Sequence, residues 1–349
     1  MARSRWVGID EAGYGPNLGP LVMTAVIAES IDDREPDLWA DLEGIACRAG
    51  GPADRVWIDD SKAVLATRDG RWQLERSCLS AIDGAGLGRP EDLTSLIGAV
   101  GAGDLAHVEL DRWLPPPAKM PDAPGGMPKP SRACARPLGL ALRESARDSG
   151  RSHAHEDVGR PRAKEPLLGC HAWRLVSIRS VVMGPARFNE HLQSANSKAI
   201  VHFGAFAELI EDAWEKASDG IPTRIRGDKH GGRNFYAGPL SDALPDSWVA
   251  PEVEGPALSR YAIRSPGRDV RIEFCPRADA ADGLVALASI VSKTLRELWM
   301  DAFNSFWIAR LPGLKPTAGY PVDARRYRRA IEPLAMEQGL HPSLWWRER

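Results

Sequence analysis

The chain has 349 residues and is 43% apolar, enough for one large domain or two ordinary ones with a real core. Its 45 basic and 47 acidic side chains leave a formal charge of −2, which excludes a global positive field; nucleic acid would need a local basic face. No apolar run reaches the length of a membrane span, residues 1–5 lack the apolar stretch of a signal peptide, and the five scattered cysteines form no Cys-x-x-Cys pair. The expectation is a cytoplasmic protein with reduced thiols, neither disulfide-framed nor zinc-bound.

Residues 5–9 and about 20–28 read as two buried strands joined by a Gly/Pro turn. The first ends in the adjacent carboxylates Asp10 and Glu11, and the turn then runs Ala12-Gly13-Tyr14-Gly15-Pro16-Asn17-Leu18-Gly19-Pro20. Like charges at a strand end repel, and a fold tolerates that mainly where a cation sits between them. The glycines carry no Cβ and let a ligand approach the backbone. Taken alone, Asp-Glu before Gly is also what a solvated turn looks like. Leu74, Cys78, Leu79 and Ile82 give helical spacing over 70–82.

From about 115 to 167 the character changes to Pro115-Pro116-Pro117, Gly125-Gly126 and many Arg, with almost no aromatic or β-branched residues. This composition cannot bury a core and predicts a low-complexity insertion, with a short helix at 138–147. Beyond it, 173–183 suits a strand, and 199–217 carries Phe203, Phe206, Leu209, Ile210, Ala213 and Trp214 on one helical face. Strands follow at 222–228, ending in Asp228, and at 269–276. A long helix then covers about 283–309. Strands first and then strands alternating with helices predict a mixed α/β sheet.

The segment Asp228-Lys229-His230-Gly231-Gly232-Arg233-Asn234-Phe235-Tyr236 reads either as a phosphate-contacting loop or as a plain tight turn. Arg325-Arg326-Tyr327-Arg328-Arg329 and Trp345-Trp346-Arg347 offer phosphate pairing and aromatic packing to a duplex, although an arginine run is also an ordinary solvated helix face. His153 and His155 are too few for a metal site. The chain contains no P-loop, dinucleotide-binding fingerprint, zinc spacing or G-x-S-x-G elbow, which removes the main competing enzyme classes.

The opening string resembles that of the type 2 ribonucleases H (ribonuclease HII), usually D-E-A-G-R-G-P-x-x-G-P, with Tyr14 in place of the Arg between the glycines. Three further segments continue the resemblance in order. Asp60-Ser61-Lys62 matches D-S-K. Arg277-Ala278-Asp279 followed by Ala288-Ser289-Ile290-Val291-Ser292-Lys293 is similar to K-A-D…A-S-I-x-A-K, with the same ten positions from Asp279 to Ser289. Gly319-Tyr320-Pro321, with Asp323 just after, resembles G-Y-P-x-D, and Asn189-Glu190 adds a weaker match.

The resemblance implies a ribonuclease H-like fold, a five-stranded mixed sheet with three antiparallel and two parallel strands, flanked by helices. A single catalytic domain would span 1–349, interrupted at about 115–167 and closed by a helical extension at about 311–349. It implies four metal-binding carboxylates, Asp10, Glu11, Asp228 and Asp279, of which Asp10 bridges two Mg²⁺ or Mn²⁺ ions about 3.5–4 Å apart. Asp282 rivals Asp279, although near a helix start it could simply be a cap. Gly13, Tyr14 and Gly15 would meet the 2′-hydroxyl that separates RNA from DNA, Tyr320 would pack on its sugar, and Ser61 and Lys62 would contact phosphates. The activity implied is hydrolysis of the RNA strand of RNA–DNA hybrids, or of ribonucleotides embedded in duplex DNA, by a monomer with no membrane partner. Because Tyr offers one hydroxyl where Arg offers a fork, a shifted substrate preference is a second expectation. A third is a catalytically silent nucleic-acid-binding relative that uses the basic C-terminus.

Overall fold

The computed structural model describes residues 3–114 and 168–348; the expected insertion at 115–167, with its helix at 138–147, lies outside the described residues. Strand β1 (Ser4–Ala12) pairs antiparallel with β2 (Leu21–Ser30). β1 runs past the expected end at residue 9 because Asp10, Glu11 and Ala12 still pair with Thr24, Met23 and Val22. β2 is buried on both faces, which is why it reads as a continuous apolar run rather than an alternation.

Next come helix α1 (Leu38–Asp41), a two-residue parallel pair formed by β3 (Ala46–Cys47) and β4 (Val56–Trp57), and helices α2 (Ser61–Leu65), α3 (Gly70–Gly84), α4 (Leu93–Ala99) and α5 (Asp104–Asp111). β5 (Trp173–Met183) occupies the expected span, followed by α6 (Pro185–Ala195), α7 (Lys198–Lys216) and β6 (Thr223–Asp228). After α8 (Ala237–Ala243) come β7 (Trp248–Glu254), β8 (Ser259–Ser265) and β9 (Arg268–Cys275). The described chain closes with the short α9 (Ala278–Ala281), the long α10 (Gly283–Arg310) and α11 (Pro321–Glu337).

The main sheet has the order β5-β2-β1-β6-β9-β8-β7. β5, β2 and β1 are antiparallel, and β6 and β9 join parallel to β1. Those five strands form the ribonuclease H-like sheet that the resemblance implies. The sheet nevertheless has seven strands, not five: the β7–β8 hairpin pairs antiparallel with β9 and extends that edge. β7 carries Pro251, Glu252 and Glu254 and is largely exposed, so no apolar alternation announces it.

Helices cover both faces. One core joins α10, α3 and α4 to the sheet through Val22, Val26, Leu74, Ile82, Leu96, Leu287, Ile290 and Trp299. The other packs Phe206, Leu209, Ile210 and Trp214 of α7 against Val7, Ile9, Ile225 and Ile272. α10 starts where Asp282 accepts hydrogen bonds from the Leu284 and Val285 amides (2.8 and 3.1 Å), an N-cap that also pairs with Arg226 at 2.8 Å. Its first turn crosses β1 so closely that a Cβ on Gly8 would stand 2.3 Å from the Leu284 backbone. α11 buries Ala324, Tyr327, Ile331 and Ala335 at helical spacing. The following residues return to the N-terminal turn, where Trp346 bridges Leu18. The four described cysteines are free, and no described helix is long and apolar enough to cross a membrane.

Candidate active site

β1 and β6 run parallel with Ile9 beside Gly227, so Asp10 and Asp228 leave adjacent strands side by side at the carboxyl edge, roughly one strand spacing (~4.8 Å) apart. Asp279 follows β9 in α9 and stands close enough to Asp10 and Asp228 to repel both. Asp228 in turn feels Glu11. The four carboxylates thus come from three separate segments to one edge of the sheet, whereas Asp282 is engaged as the α10 cap.

Side chains alternate along a strand, so Asp10 and Glu11 point to opposite faces. Asp10 turns toward α10, where the Ser289 hydroxyl bonds its carboxylate and meets Ser61 at 3.0 Å. Ser292 lies 3.1 Å from the Asp10 carbonyl and 2.8 Å from Thr24, which bonds Ser180, making a hydroxyl ladder beneath the site. Ser61 is buried in this network, so its hydroxyl supports Ser289 instead of facing solvent. Lys62 is exposed, and its charge acts on both Glu11 and Asp279.

Burial, together with Glu11 and Asp279, pushes the Asp10 carboxyl well above the usual carboxylate range. Burial, helped by Glu11, raises Asp228 against three backbone N–H donors, those of Lys229, Arg277 and Ala278. Arg277 takes up a left-handed φ of 54° just before α9. Asp279 is also raised, by burial and then by Asp60 and Asp228. Glu11 is the exception. Burial works against it, but the His202 imidazole and Lys62 hold it below its ordinary value.

His202 is the residue that sequence reasoning missed. It is 3% exposed, its Nε2 lies 3.5 Å from Glu11, and its ring stands edge-on to Tyr14 and His230 at 4.6 and 4.5 Å between centroids. The available signal was its place on the apolar stripe of α7, one turn before Phe206.

No three His, Cys, Asp or Glu side chains among the described residues converge closely enough to hold one ion by themselves. The donor chemistry still fits Mg²⁺ or Mn²⁺. The donors are hard carboxylate oxygens, and Mg²⁺ keeps several waters and takes one or two carboxylates instead of a closed protein cage.

The glycine turn lies beside this edge. Gly13 has a φ of +91° and no room for a Cβ, which would stand 2.4 Å from the Pro20 carbonyl, whereas the Cβ position of Gly15 is open. Tyr14 is half-exposed, with the Lys198 ammonium 5.4 Å from its ring centre. The Tyr320 segment is tied to the turn, since Gly319 accepts from the Asn17 and Leu18 amides at 2.9 and 3.3 Å; Tyr320 itself is half-exposed above Arg296.

Other candidates have turned inward. Tyr236 is fully buried and stacked on Phe274 at 3.7 Å, with its hydroxyl accepting from the His230 amide, which anchors the end of that loop while Gly231, Gly232 and Phe235 stay exposed. Trp345 and Arg347 are fully buried, and Arg326 and Arg328 pair with Asp323 and Glu332. Trp345, Tyr327 and Arg347 thus pack inward, whereas Arg325, Arg326 and Arg329 remain exposed on α11.

No protein-family model and no curated protein sequence matches this chain. Among solved structures, the ribonuclease HII of Archaeoglobus fulgidus, determined as a complex with PCNA, aligns at 13% identity and a TM-score of 0.38, covering 99% of this chain and 94% of that one. The ribonuclease H2 of Pyrococcus horikoshii OT3 aligns at 13% identity and a TM-score of 0.38, covering 98% and 92%.

Proposed function

We propose that this protein is a divergent type 2 ribonuclease H: a metal-dependent endonuclease that hydrolyses the RNA strand of RNA–DNA hybrids or ribonucleotides embedded in DNA. The observation that carries the reading is the gathering of Asp10, Glu11, Asp228 and Asp279 at one sheet edge beside the glycine turn. Burial raises the carboxyls of Asp10, Asp228 and Asp279, and each also feels the charge of a neighbouring carboxylate, which a cation would relieve.

These four side chains would hold the divalent metal, which when bound acidifies water and neutralises charge on a phosphate. Ser289 orients Asp10, His202 lies beside Glu11 at 3.5 Å, and the Lys229, Arg277 and Ala278 amides fix Asp228. Lys62, with its charge directed at Glu11 and Asp279, suits a phosphate of the cut strand, and half-exposed Tyr320 suits a sugar face. The test is purified protein with Mg²⁺ or Mn²⁺ on an RNA–DNA hybrid, a duplex with one ribonucleotide, and plain DNA. Cutting confined to the first two is the expected result, and cleavage of none of them overturns the reading.

A shifted substrate preference is favoured by Tyr14, whose ring is engaged with His202 and Lys198. Tyr14→Arg is expected to move preference toward the single ribonucleotide by about tenfold, the worth of one charge-assisted hydrogen bond. Binding should also depend more steeply on salt. An unchanged ratio between the hybrid and the single-ribonucleotide duplex would remove position 14 from specificity.

A further inference from the structure

On the sheet face that carries α10, the core beneath that helix draws on β2 and β5. Among the described residues it takes no apolar side chain from β6, β9 or β8. Alternation along those strands sets a registered array there instead, with Trp6, Arg224 and Arg271 in one row and Arg226, Glu273 and Arg260 in the next. Together with Glu35, Pro36, Asp282 and Leu284 they line a cavity of about 290 Å³, at the small end of ligand pockets. The cavity is separate from the carboxylate edge. Arg224 lies four residues before Asp228 on β6, roughly 13 Å at about 3.3 Å per residue, and the Arg226–Asp282 pair stands between them.

The charges lining this cavity do not balance. Four arginines meet three carboxylates, and two of the arginines engage all three. Arg226 pairs with Glu35 at 2.5 Å, Asp282 at 2.8 Å and Glu273 at 3.1 Å, and Arg260 takes the other Glu273 oxygen at 2.7 Å. Arg224 and Arg271 are left side by side on neighbouring strands, where like charges in register are unfavourable. Their partners lie outside the lining: Asp269 stands 3.8 Å from Arg224, and Glu252 stands 3.3 Å from Arg271. The Arg271 Nε is closed off from solvent and has no hydrogen-bond partner among the described residues. Two guanidinium forks about one strand spacing (~4.8 Å) apart suit the oxygens of a single dianion, the charge a phosphomonoester carries near neutral pH. The volume exceeds what a bare phosphate fills, and Trp6, Pro36 and Leu284 make the rest of the lining apolar.

We propose that this cavity binds a small phosphomonoester, with its phosphate between Arg224 and Arg271 and its organic body against Trp6 and Pro36. None of these residues belongs to the carboxylate edge, so the site stands or falls apart from the nuclease reading.

The test is titration calorimetry on the full chain in EDTA at low salt, with adenosine 5′-monophosphate, adenosine and inorganic phosphate as probes. The monophosphate should bind, inorganic phosphate about tenfold more weakly, and adenosine not measurably. Arg224→Gln and Arg271→Gln should each weaken monophosphate binding about tenfold, as expected for a lost charge-assisted hydrogen bond, and Arg271→Lys should weaken it less. Thermal melts establish that the variants fold. The Arg271 side chain is 39% exposed, so its replacement spares the core, and it decides alone if Arg224→Gln does not fold. No binding by the wild type, or equal affinity in the wild type and Arg271→Gln, overturns the proposal. Equal affinity for adenosine and the monophosphate overturns the phosphate seat, and equal affinity for phosphate and the monophosphate overturns the place given to the organic body. Binding lost in Asp10→Asn but kept in Arg271→Gln would put the ligand at the sheet edge and also overturn it. Monophosphate binding by a protein that cuts no hybrid keeps this site and removes the nuclease. Hybrid cleavage without monophosphate binding does the reverse.

Discussion

Replacing Asp10 by Asn is expected to slow hybrid cleavage by roughly 10³-fold or more. The loss follows from removing the buried carboxylate that feels both Glu11 and Asp279, since several kcal/mol of transition-state stabilisation from a bound cation corresponds to at least that factor. The same change should stabilise the metal-free protein. The folded Asp10 carboxyl binds its proton more tightly than the unfolded one, so stability falls as pH rises from the ordinary carboxylate value, about 4, through the raised one. Asn removes that loss. In EDTA the variant's thermal midpoint should exceed the wild type's by about 2 °C at neutral pH, with the difference vanishing near pH 4. Melting curves across this range check the electrostatics separately from the kinetics. Near-normal turnover at saturating Mg²⁺ would place the chemistry elsewhere.

Gly8→Ala should be strongly destabilising for so small a substitution. Its methyl would stand 2.3 Å from the Leu284 carbonyl carbon and the Val285 nitrogen, main-chain atoms of the helix start that cannot swing aside like a side chain. Overpacking into such a contact costs about 3 kcal/mol or more, equivalent to roughly 6 °C or more in thermal midpoint. Relief requires α10 to lift from β1. That displaces Ser289 from Asp10, so cleavage should fall beyond what the stability loss alone produces. Gly15→Ala provides the stability control: its Cβ meets nothing within 4 Å, and it should shift folding free energy by less than about 0.5 kcal/mol.

The fold was legible where burial shapes composition. β2 and α10 are apolar because both are covered, and Asp228 could be read as a strand end because it closes the alternating run Thr223–Asp228. The β7–β8 hairpin was not legible. Its outer strand is mostly exposed and includes Pro251, so it is defined by pairing with β8 rather than by its own residues. Around the candidate site, the carboxylates stood out because two acids beside a glycine turn are an unusual string. The role of His202 stayed hidden because it depends on which helix crosses Glu11. Arg347 looked like an outward-facing basic residue beside two tryptophans. Only the return of the C-terminal segment to Leu18 turns it inward.

Because neighbouring residues of β1 face opposite ways, Asp10 is held by the layer containing α10 and Glu11 by the layer containing α7. A chain with just one layer docked has one acid in position and the other loose in water. The candidate site is thus complete only when both layers are packed on the sheet. On the proposed reading, a half-assembled molecule would hold at most one of the two acids where a cation needs both.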